Sequence, residues 1–314
     1  MIGVVGAGAF GTALAVSLAR EGRAVTLWAR SAKDAGDMQR SRVNARRLPG
    51  VDLPAPITVT DLLGDLAGAE AILLALPMQA LGGFLQANPL TSPDLVACCK
   101  GIDLSTLTGP ATLTARMVPG ARASILTGPS FAADLARGQP TALTLAGGDE
   151  ALQRLLSGPS LRIYRTDDVI GAELGGALKN VIAIAAGVVI GAGLGESARA
   201  ALMTRGYAEM TRLARSLGAR PETLSGLSGF GDLVLTCTSS QSRNFSFGRA
   251  LGAGQAFDPT VTVEGAATAR AVALLAQQSG IDMPVTSRIA ALIAGQTTLA
   301  EAITSLMSRP LKQE

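Results

Sequence analysis

The sequence predicts an α/β domain built on a parallel sheet, followed by an all-α domain. Up to about residue 166, short apolar runs of strand length alternate with segments of helical character, which is typical of a parallel sheet with crossover helices. After Asp168 only helical patterns follow. We therefore predict two domains, 1–166 and 167–314, as expected for a chain of 314 residues, which is long for one core.

The predicted elements follow from apolar runs and from the turn residues that separate them. The strands are Ile2–Val5, Ala24–Trp28, Ile57–Val59, Glu70–Leu76, Leu95–Cys98, Ala123–Leu126, Thr141–Leu145 and Leu161–Tyr164. Helices are predicted at Thr12–Arg20, from about Asp61, at Met78–Leu85, around Lys179, and at about Arg199–Leu217, Val263–Ser279 and Ser287–Ala294.

A glycine motif, Gly6-Ala-Gly8-Ala9-Phe10-Gly11, follows the first strand and opens the first helix. In this strand–turn–helix context, Gly-x-Gly-x-x-Gly predicts a dinucleotide site of the Rossmann type. Gly6 allows the tight turn, Gly8 allows the backbone to approach a pyrophosphate, and Gly11 allows the helix to pack closely. The free N–H groups of the helix N-terminus then face the anion.

The second strand ends without the acidic residue that would bind a ribose 2′-hydroxyl, and Arg30 follows it. An arginine at this place accommodates a 2′-phosphate, so the sequence favours NADPH over NADH, with NAD still usable. More basic residues follow, and a solvated basic loop is the alternative interpretation for most of them: Lys33, Arg40, Arg42, Arg46 and Arg47, against Asp34 and Asp37.

The composition excludes several classes of function. The chain has no histidine, which excludes histidine-based acids, bases and triads and removes the commonest zinc ligand, so no metal site is predicted. The net charge of +3 is small and dispersed, which argues against nucleic acid. Three cysteines without a CxxC pair fit a structural role in a reducing cytosol: Cys98, Cys99 and Cys237.

The chain is expected to be cytoplasmic and without an integral membrane segment. Its first residues form a strand and a glycine motif rather than a signal peptide. The longest uncharged apolar run, Asn180–Gly195, is shorter than the roughly 20 residues that span a bilayer.

Lys179 is the only basic residue between Arg165 and Arg199, and it lies in a helix of small residues. A desolvated lysine has a depressed pKa and can exchange a proton near neutral pH. The alternative is a lysine whose stem lies along the helix while its ammonium group reaches water.

Two further groups follow strands, at the sheet edge where ligands bind in parallel α/β proteins. They are Lys100 and Gly128-Pro-Ser130. A surface lysine is the alternative for Lys100, and Ser130 could cap a helix that starts at Phe131.

Nine segments together resemble the bacterial-type NAD(P)-dependent glycerol-3-phosphate dehydrogenases, and the resemblance runs essentially end to end. They are Gly6–Leu14, Leu27–Arg30, Leu48–Gly50, Lys100–Ile102, Gly128–Ala132, Gly175–Asn180, Gly231–Cys237, Ser242–Asn244 and Val263–Gly265. The resemblance implies reduction of dihydroxyacetone phosphate to sn-glycerol 3-phosphate, the entry into glycerophospholipid synthesis.

The resemblance also implies roles for single residues. Lys179 is the expected acid/base, with Lys100 and Asp232 beside it in the catalytic set. The substrate is expected to contact Lys100, Gly128, Ser130, Lys179, Asp232, Thr236, Ser242, Arg243 and Asn244. The nucleotide is expected to contact Gly6, Gly8, Ala9, Phe10, Gly11, Arg30, Lys100, Ala132, Arg243 and Glu264. Chemically, a positioned ammonium stabilises and protonates a developing alkoxide, and the fork of Arg243 suits a phosphate.

The sequence departs from the family pattern at Ile190-Gly-Ala-Gly193 and at Glu196-Ser197, where the family has a carboxylate and an Asp-Asn pair. These changes bear on rate and substrate fit. The alternatives are a related β-hydroxyacid or 6-phosphogluconate-type dehydrogenase, a non-catalytic NAD(P)-binding regulatory protein, or a structural protein. The apolar helical domain also makes a homodimer an expectation, while feedback control stays open.

Overall fold

The computed structural model describes residues 1–307, and its first half is built on one sheet of eight strands. These are β1 (Ile2–Val5), β2 (Val25–Trp28), β3 (Ile57–Thr60), β4 (Ala71–Leu74), β5 (Asp94–Ala97), β6 (Arg122–Thr127), β7 (Thr141–Ala146) and β8 (Leu161–Thr166). Their order across the sheet is β3-β2-β1-β4-β5-β6-β7-β8.

Six of these strands run parallel, whereas the last two run the other way. Neighbouring strands from β3 to β6 pair in parallel, β7 pairs antiparallel to β6 with Leu126 opposite Leu145, and β8 is parallel to β7. A sheet with every strand parallel, as the sequence suggested, is therefore wrong for β7 and β8. The carboxyl ends of β1, β4, β5 and β6 consequently share one edge with the beginning of β7.

Six helices accompany the sheet: α1 (Ala9–Arg20), α2 (Ala32–Ser41), α3 (Met78–Ala87), α4 (Pro110–Met117), α5 (Ala132–Ala136) and α6 (Glu150–Leu156). The start of the basic segment after β2 is helix α2 rather than a loop, and the Ser31 hydroxyl caps it by accepting the Asp34 N–H. The helix expected from Asp61 is only a 3₁₀ turn, Leu63–Leu66, and Gly68 with φ +76° follows it. That backbone conformation is the left-handed one that ends helices.

All elements described after Thr166 are helical, which confirms the predicted fold class. They are α7 (Val169–Gly191), α8 (Glu196–Ser216), α9 (Pro221–Ser225), a π turn at Leu227–Gly231, α10 (Asp232–Thr238), α11 (Arg243–Gly252), α12 (Glu264–Ser279), α13 (Pro284–Ile293) and α14 (Leu299–Met307). The division into two domains at residue 166 stays a prediction.

Helix α7 lies at the centre of the helical part. It has 23 residues and, by length and composition, is the one helix among residues 1–307 that could cross a membrane. The apolar run that the sequence predicts, Asn180–Gly195, is too short at its start, because the helix begins at Val169. In the most apolar 18-residue window, 89% is buried inside the protein, which is the property of a core helix.

Helices α7 and α11 pack with their backbones in contact, because each presents two glycines spaced by four. A Cβ on Gly187 would lie 2.1 Å from the carbonyl oxygen of Phe245, and one on Gly248 would lie 2.0 Å from that of Ile184. The same relation holds for Gly191 and Gly252, at 2.1 and 2.2 Å from backbone oxygens. Only glycine fits at these four positions, so the contact fixes α11 against the helix that carries Lys179.

Candidate active site

The glycine turn after β1 has the shape that a bound pyrophosphate needs. Gly6 has φ +110°, and a Cβ there would lie 2.6 Å from the carbonyl oxygen of Ala75. A Cβ on Gly11 would lie 2.0 Å from the carbonyl oxygen of Gly6. At Gly8, by contrast, a Cβ would have no atom within 4 Å, so the backbone there faces open space. The turn therefore leaves room for a phosphate beside the N-terminus of α1.

A buried asparagine that no sequence motif predicts supports this turn. Asn44 Nδ2 donates to the Ala7 carbonyl oxygen at 3.0 Å and to Thr12 Oγ1 at 2.8 Å. Its Oδ1 accepts the N–H of Arg47 at 3.2 Å. Asn44 thus joins the segment that contains Arg46 and Arg47 to both sides of the glycine turn. Its only sequence signal is its place just before the Leu48–Gly50 motif.

Arg30 lies two residues beyond β2, at the same sheet edge, and its side chain is exposed. On the following helix α2, the carboxylate of Asp37 pairs with Arg40. The guanidinium of Arg30 is thus placed beside the strand whose end meets the nucleotide ribose in this fold.

Lys100, Lys179 and Asp232 meet where the sheet joins the helical part. The Asp232 carboxylate bridges the two ammonium groups, with Oδ2 at 2.5 Å from Lys100 Nζ and Oδ1 at 3.0 Å from Lys179 Nζ. Lys179 is only 6% exposed and Asp232 only 1%. The burial excludes the interpretation of Lys179 as a lysine that reaches water, and the ion pair excludes a plain surface lysine at position 100.

Each ammonium also has a neutral partner. Lys179 Nζ donates to Thr236 Oγ1 at 2.6 Å, and Thr236 Oγ1 donates to Asp232 Oδ1 at 3.2 Å. Lys100 Nζ donates to the Gly128 carbonyl oxygen at 2.9 Å. An ammonium has three N–H donors. Within residues 1–307, two donors on each lysine have a protein acceptor, which leaves one on each for a ligand oxygen.

The local electrostatics place the pKa of Lys179 near neutral. Burial lowers the pKa of Lys179 to about 8; the charge of Asp232 opposes this shift, while that of Lys100 reinforces it. Burial alone would raise the pKa of Asp232, but the two ammonium groups outweigh it and hold this pKa below its usual value. Asp232 therefore remains a carboxylate while Lys179 can exchange a proton at working pH.

Gly128 and Ser130 follow β6 at the same edge. Gly128 has φ +136°, and its carbonyl oxygen is the acceptor of Lys100. Ser130 Oγ donates to that same carbonyl at 3.3 Å. The expected helix cap is wrong, because α5 begins at Ala132 and its N-cap residue is Phe131, which makes no side-chain cap. The Ser130 hydroxyl is instead part of the polar lining around Lys100.

The segment Ser242–Asn244 begins α11, and its parts act differently. Ser242 Oγ caps the helix by accepting the Phe245 N–H at 3.2 Å. The N–H groups of Arg243 and Asn244 lie in the first turn, where no intrahelical acceptor exists. The Arg243 side chain is exposed. A helix N-terminus together with a guanidinium suits a phosphate.

The Asn244 side chain, expected beside the phosphate, instead links three helices. Its Nδ2 donates to Asn180 Oδ1 on α7 at 2.9 Å, and its Oδ1 accepts the N–H of Gly265 on α12 at 2.9 Å. It is buried. A contact of Asn244 with phosphate would therefore come from its main-chain N–H.

The remaining residues that are expected to contact the nucleotide lie at the starts of helices. Phe10 is in the first turn of α1, Ala132 begins α5, and Glu264 begins α12. Burial raises the pKa of Glu264, and this is opposed by the charge of Arg243 and by the N–H of Met78 on α3. Glu264 thus links the start of α12 to helix α3 of the sheet part and to Arg243.

The departures lie away from the lysine pair, whereas the cysteines are close to it in the chain: Cys98 and Cys99 directly precede Lys100, and Cys237 follows Thr236. Ile190 is eleven residues beyond Lys179, about 16 Å along α7, and packs against the helical core. Ser197 is exposed in the first turn of α8. The three cysteines are buried and unpaired, and burial raises the pKa of each thiol, in keeping with a structural role.

Comparisons with known proteins agree with this arrangement. Two family models match, described as the N-terminus and the C-terminus of NAD-dependent glycerol-3-phosphate dehydrogenase, over residues 1–153 and 168–304. A glycerol-3-phosphate dehydrogenase (NAD(P)+) from Cereibacter sphaeroides is 65% identical over 320 residues, with all of both chains covered. One from Paracoccus denitrificans is 59% identical over 321 residues and covers 100% of this chain and 99% of its own.

Solved structures show the same likeness. The crystal structure of a glycerol-3-phosphate dehydrogenase from Coxiella burnetii is 36% identical, has a TM-score of 0.91, and is covered at 98% in both chains. A D-mandelate dehydrogenase with NADH is 14% identical with a TM-score of 0.63, covering 96% of this chain and 99% of the other. At that identity the second likeness concerns the fold alone.

Proposed function

The chain belongs to the NAD-dependent glycerol-3-phosphate dehydrogenase family, and from this premise we propose how its own residues carry out the reaction. It interconverts dihydroxyacetone phosphate and sn-glycerol 3-phosphate with NAD(P). The matches cover the whole chain at high identity, and they favour this activity over a β-hydroxyacid dehydrogenase or a non-catalytic nucleotide-binding protein. When bound, the nicotinamide supplies or accepts the hydride, and the residues of the chain bind, orient and move the proton.

Lys179 is the general acid of the reduction. As the carbonyl carbon is reduced, negative charge develops on its oxygen, and the free N–H of Lys179 protonates that oxygen, which leaves a neutral amine. The ammonium group of Lys100 stabilises the charge on the same oxygen. Asp232 and Thr236 hold the ammonium of Lys179 in place. In the oxidation, the neutral amine of Lys179 takes the hydroxyl proton back.

The phosphate of the substrate lies at the start of α11. The unpaired N–H groups of the first turn and the exposed guanidinium of Arg243 are the donors. Asn244 holds this helix start against α7 through Asn180, at 2.9 Å. The distance between the phosphate site and Lys179 is thus set by packing, and dihydroxyacetone without the phosphate is a poor substrate.

The nucleotide is held at the glycine turn, and NADPH is preferred over NADH. The open face of Gly8 receives the pyrophosphate. Arg30 and the absence of an acid at the end of β2 favour the 2′-phosphate. NADH remains usable, because the glycine turn holds the pyrophosphate that both nucleotides share.

The observation that carries this proposal is the carboxylate of Asp232, which the buried Lys179 shares with the partly buried Lys100 at the edge of the sheet. The test is the loss of NADPH absorbance with dihydroxyacetone phosphate, with dihydroxyacetone as the control substrate. Lys179→Met should lower kcat by about 10²–10⁴-fold and leave the fold and NADPH binding intact. A variant with near-full turnover would refute the assignment of Lys179.

We propose that the reaction takes place in the cytoplasm and feeds glycerophospholipid synthesis. Three buried, unpaired cysteines suit a reducing compartment. We also infer a homodimer formed through the helical part, whose half-exposed apolar side chains include Leu194, Phe230, Val234 and Leu274. Light scattering of the purified protein should give twice the chain mass of 31.8 kDa; a single chain mass at micromolar concentration would contradict the dimer.

A further inference from the structure

Glu173 is a buried carboxylate that has no part in the chemistry proposed above. It lies on α7, six residues before Lys179, and is 4% exposed. Its Oε1 accepts the N–H groups of Ala111 at 2.6 Å and of Thr112 at 2.9 Å, and its Oε2 accepts the Thr112 hydroxyl at 2.8 Å. These donors form the first turn of α4, which begins at Pro110. The helix that carries Lys179 therefore closes the N-terminus of a helix in the sheet part.

Helix α4 directly follows the segment that begins with Lys100. This segment, Lys100–Gly109, is compact: Asp103 Oδ2 accepts the N–H groups of Ser105 at 3.1 Å and Thr106 at 2.8 Å, and both hydroxyls as well. A segment braced in this way moves as a unit. The position of the Lys100 stem therefore depends on where the first turn of α4 is held.

Three turns of α7 face the same region. At Gly176, three residues beyond Glu173, a Cβ would lie 2.7 Å from Thr127 Oγ1 and 3.5 Å from Cγ of Lys100. Three residues further, Lys179 reaches Asp232. Glu173 holds α4, Gly176 gives room to the stem of Lys100, and Lys179 meets the same carboxylate as Lys100.

We propose that Glu173 is a positioning residue, which fixes the ammonium of Lys100 relative to that of Lys179 by holding α4 against the catalytic helix. The inference rests on the proposed roles of the two lysines. It needs acceptor oxygens at the start of α4 rather than a negative charge. A carboxamide in the same place can accept both N–H groups and donate to the Thr112 hydroxyl.

The chain contains a matched control for this contact. Glu209 on α8 is 2% exposed, and its carboxylate accepts the N–H groups of Val285 at 2.7 Å and Thr286 at 3.2 Å, and the Thr286 hydroxyl at 3.4 Å. These donors form the first turn of α13, which also begins with a proline, Pro284. None of the proposed site residues lies on α8 or α13. Glu209→Ala therefore removes the same kind of helix closure away from the site.

The experiment compares Glu173→Ala, Glu209→Ala and Glu173→Gln in the full chain. Both alanine variants should lower the unfolding temperature, because each leaves two N–H groups and a hydroxyl unpaired. Glu209→Ala should keep the wild-type kcat, whereas Glu173→Ala should lower it about 10- to 100-fold. Glu173→Ala should also move the basic limb of kcat/KM to higher pH, because the charge of Lys100 no longer acts fully on Lys179. Glu173→Gln should resemble the wild type both in kcat and in the position of the basic limb.

Two results would overturn the proposal: equal kinetics and pH profiles in Glu173→Ala and Glu209→Ala, or a glutamine variant as impaired as the alanine one. Should Glu173→Ala fail to fold, Thr112→Val and Thr286→Val remove one bond from each closure, and only the first should lower kcat. Equal kcat in that pair would also overturn it. Full turnover by Lys179→Met would refute the acid assignment instead, and it leaves the contrast in kcat between the glutamate variants unaffected.

Discussion

The titration of Lys179 should give the two directions of the reaction opposite pH dependences. The pKa of this lysine is lowered by burial to about 8. Reduction needs the ammonium, so kcat/KM for dihydroxyacetone phosphate should be level below about pH 8 and fall tenfold per pH unit well above it. Oxidation needs the neutral amine, so kcat/KM for glycerol 3-phosphate should rise up to about pH 8 and then level off.

Two variants should move this pKa in opposite directions. Lys100→Met removes a like charge that lowers the pKa of Lys179, so the basic limb of the reduction should move to higher pH. Asp232→Asn removes the carboxylate that raises the same pKa, so the limb should move to lower pH. Both variants will be slower than the wild type, so the comparison uses the pH at which kcat/KM falls and not its absolute value.

The assay is the initial rate of NADPH oxidation at substrate concentrations below KM and at constant ionic strength. The profile should begin at about pH 7, above the second ionisation of a phosphate monoester near 6. The reverse reaction is followed by NADPH formation over the same range. The reasoning is refuted if both directions lose activity on the same side of the profile, or if the two variants move the limb the same way.

Two further predictions concern the nucleotide and the packing of the catalytic helix. Arg30→Ala should raise KM for NADPH much more than KM for NADH, because the proposed contact of its guanidinium is with the 2′-phosphate, which NADH lacks; equal losses would defeat this assignment. Gly248→Ala should lower the free energy of unfolding by about 1–3 kcal/mol, since its Cβ would lie 2.0 Å from the Ile184 oxygen. Gly83→Ala in α3, where a Cβ meets no atom within 4 Å, is the control and should not destabilise; equal unfolding temperatures would contradict the packing argument.

The strands and the glycine turn could be predicted because their signals are local. Four consecutive buried residues form β1, and Gly6, Gly8 and Gly11 follow them directly. The direction of β7 and β8 is not encoded locally. The apolar pattern of a strand is the same whether the strand runs parallel or antiparallel to its neighbour. What reverses the chain is the way in which the connection through α5 returns it to the same sheet edge.

Helix α2 was not predicted, and the helix predicted from about Asp61 is only a short turn; in both cases apolar spacing is a weak signal over few residues. Helix α2 buries only Ala35 and Met38, so its apolar stripe is too narrow to stand out among basic residues. At Leu63–Leu66 the leucines have helical spacing, but the turn ends after four residues at Ala67 and Gly68. The left-handed backbone conformation of Gly68 outweighed the helical spacing of the leucines.

The two lysines and Asp232 could be expected near one another, but the polar contacts that hold them could not. Glu173 and Ala111 are separated by 62 residues, and Asn180 and Asn244 by 64. The sequence shows polar residues in apolar helices without showing their partners. Tertiary packing alone shows that the side chain of Asn244 links helices rather than facing the phosphate site.

The bridge through Asp232 explains how a chain without histidine can hold an acid that works near neutral pH. An exposed lysine keeps its proton to about pH 10.4 and is a poor acid at pH 7. Burial lowers the pKa of a lysine, but a lysine buried without an anionic partner would lose its proton at neutral pH and could not act as an acid. The charge of Asp232 raises the pKa of Lys179 against the effect of burial and so keeps the proton available. Lys100 shares the same carboxylate and so limits this rise. The pKa of Lys179 therefore depends on how evenly two lysines share one aspartate, which is why residues that only position Lys100 should affect the chemistry at Lys179.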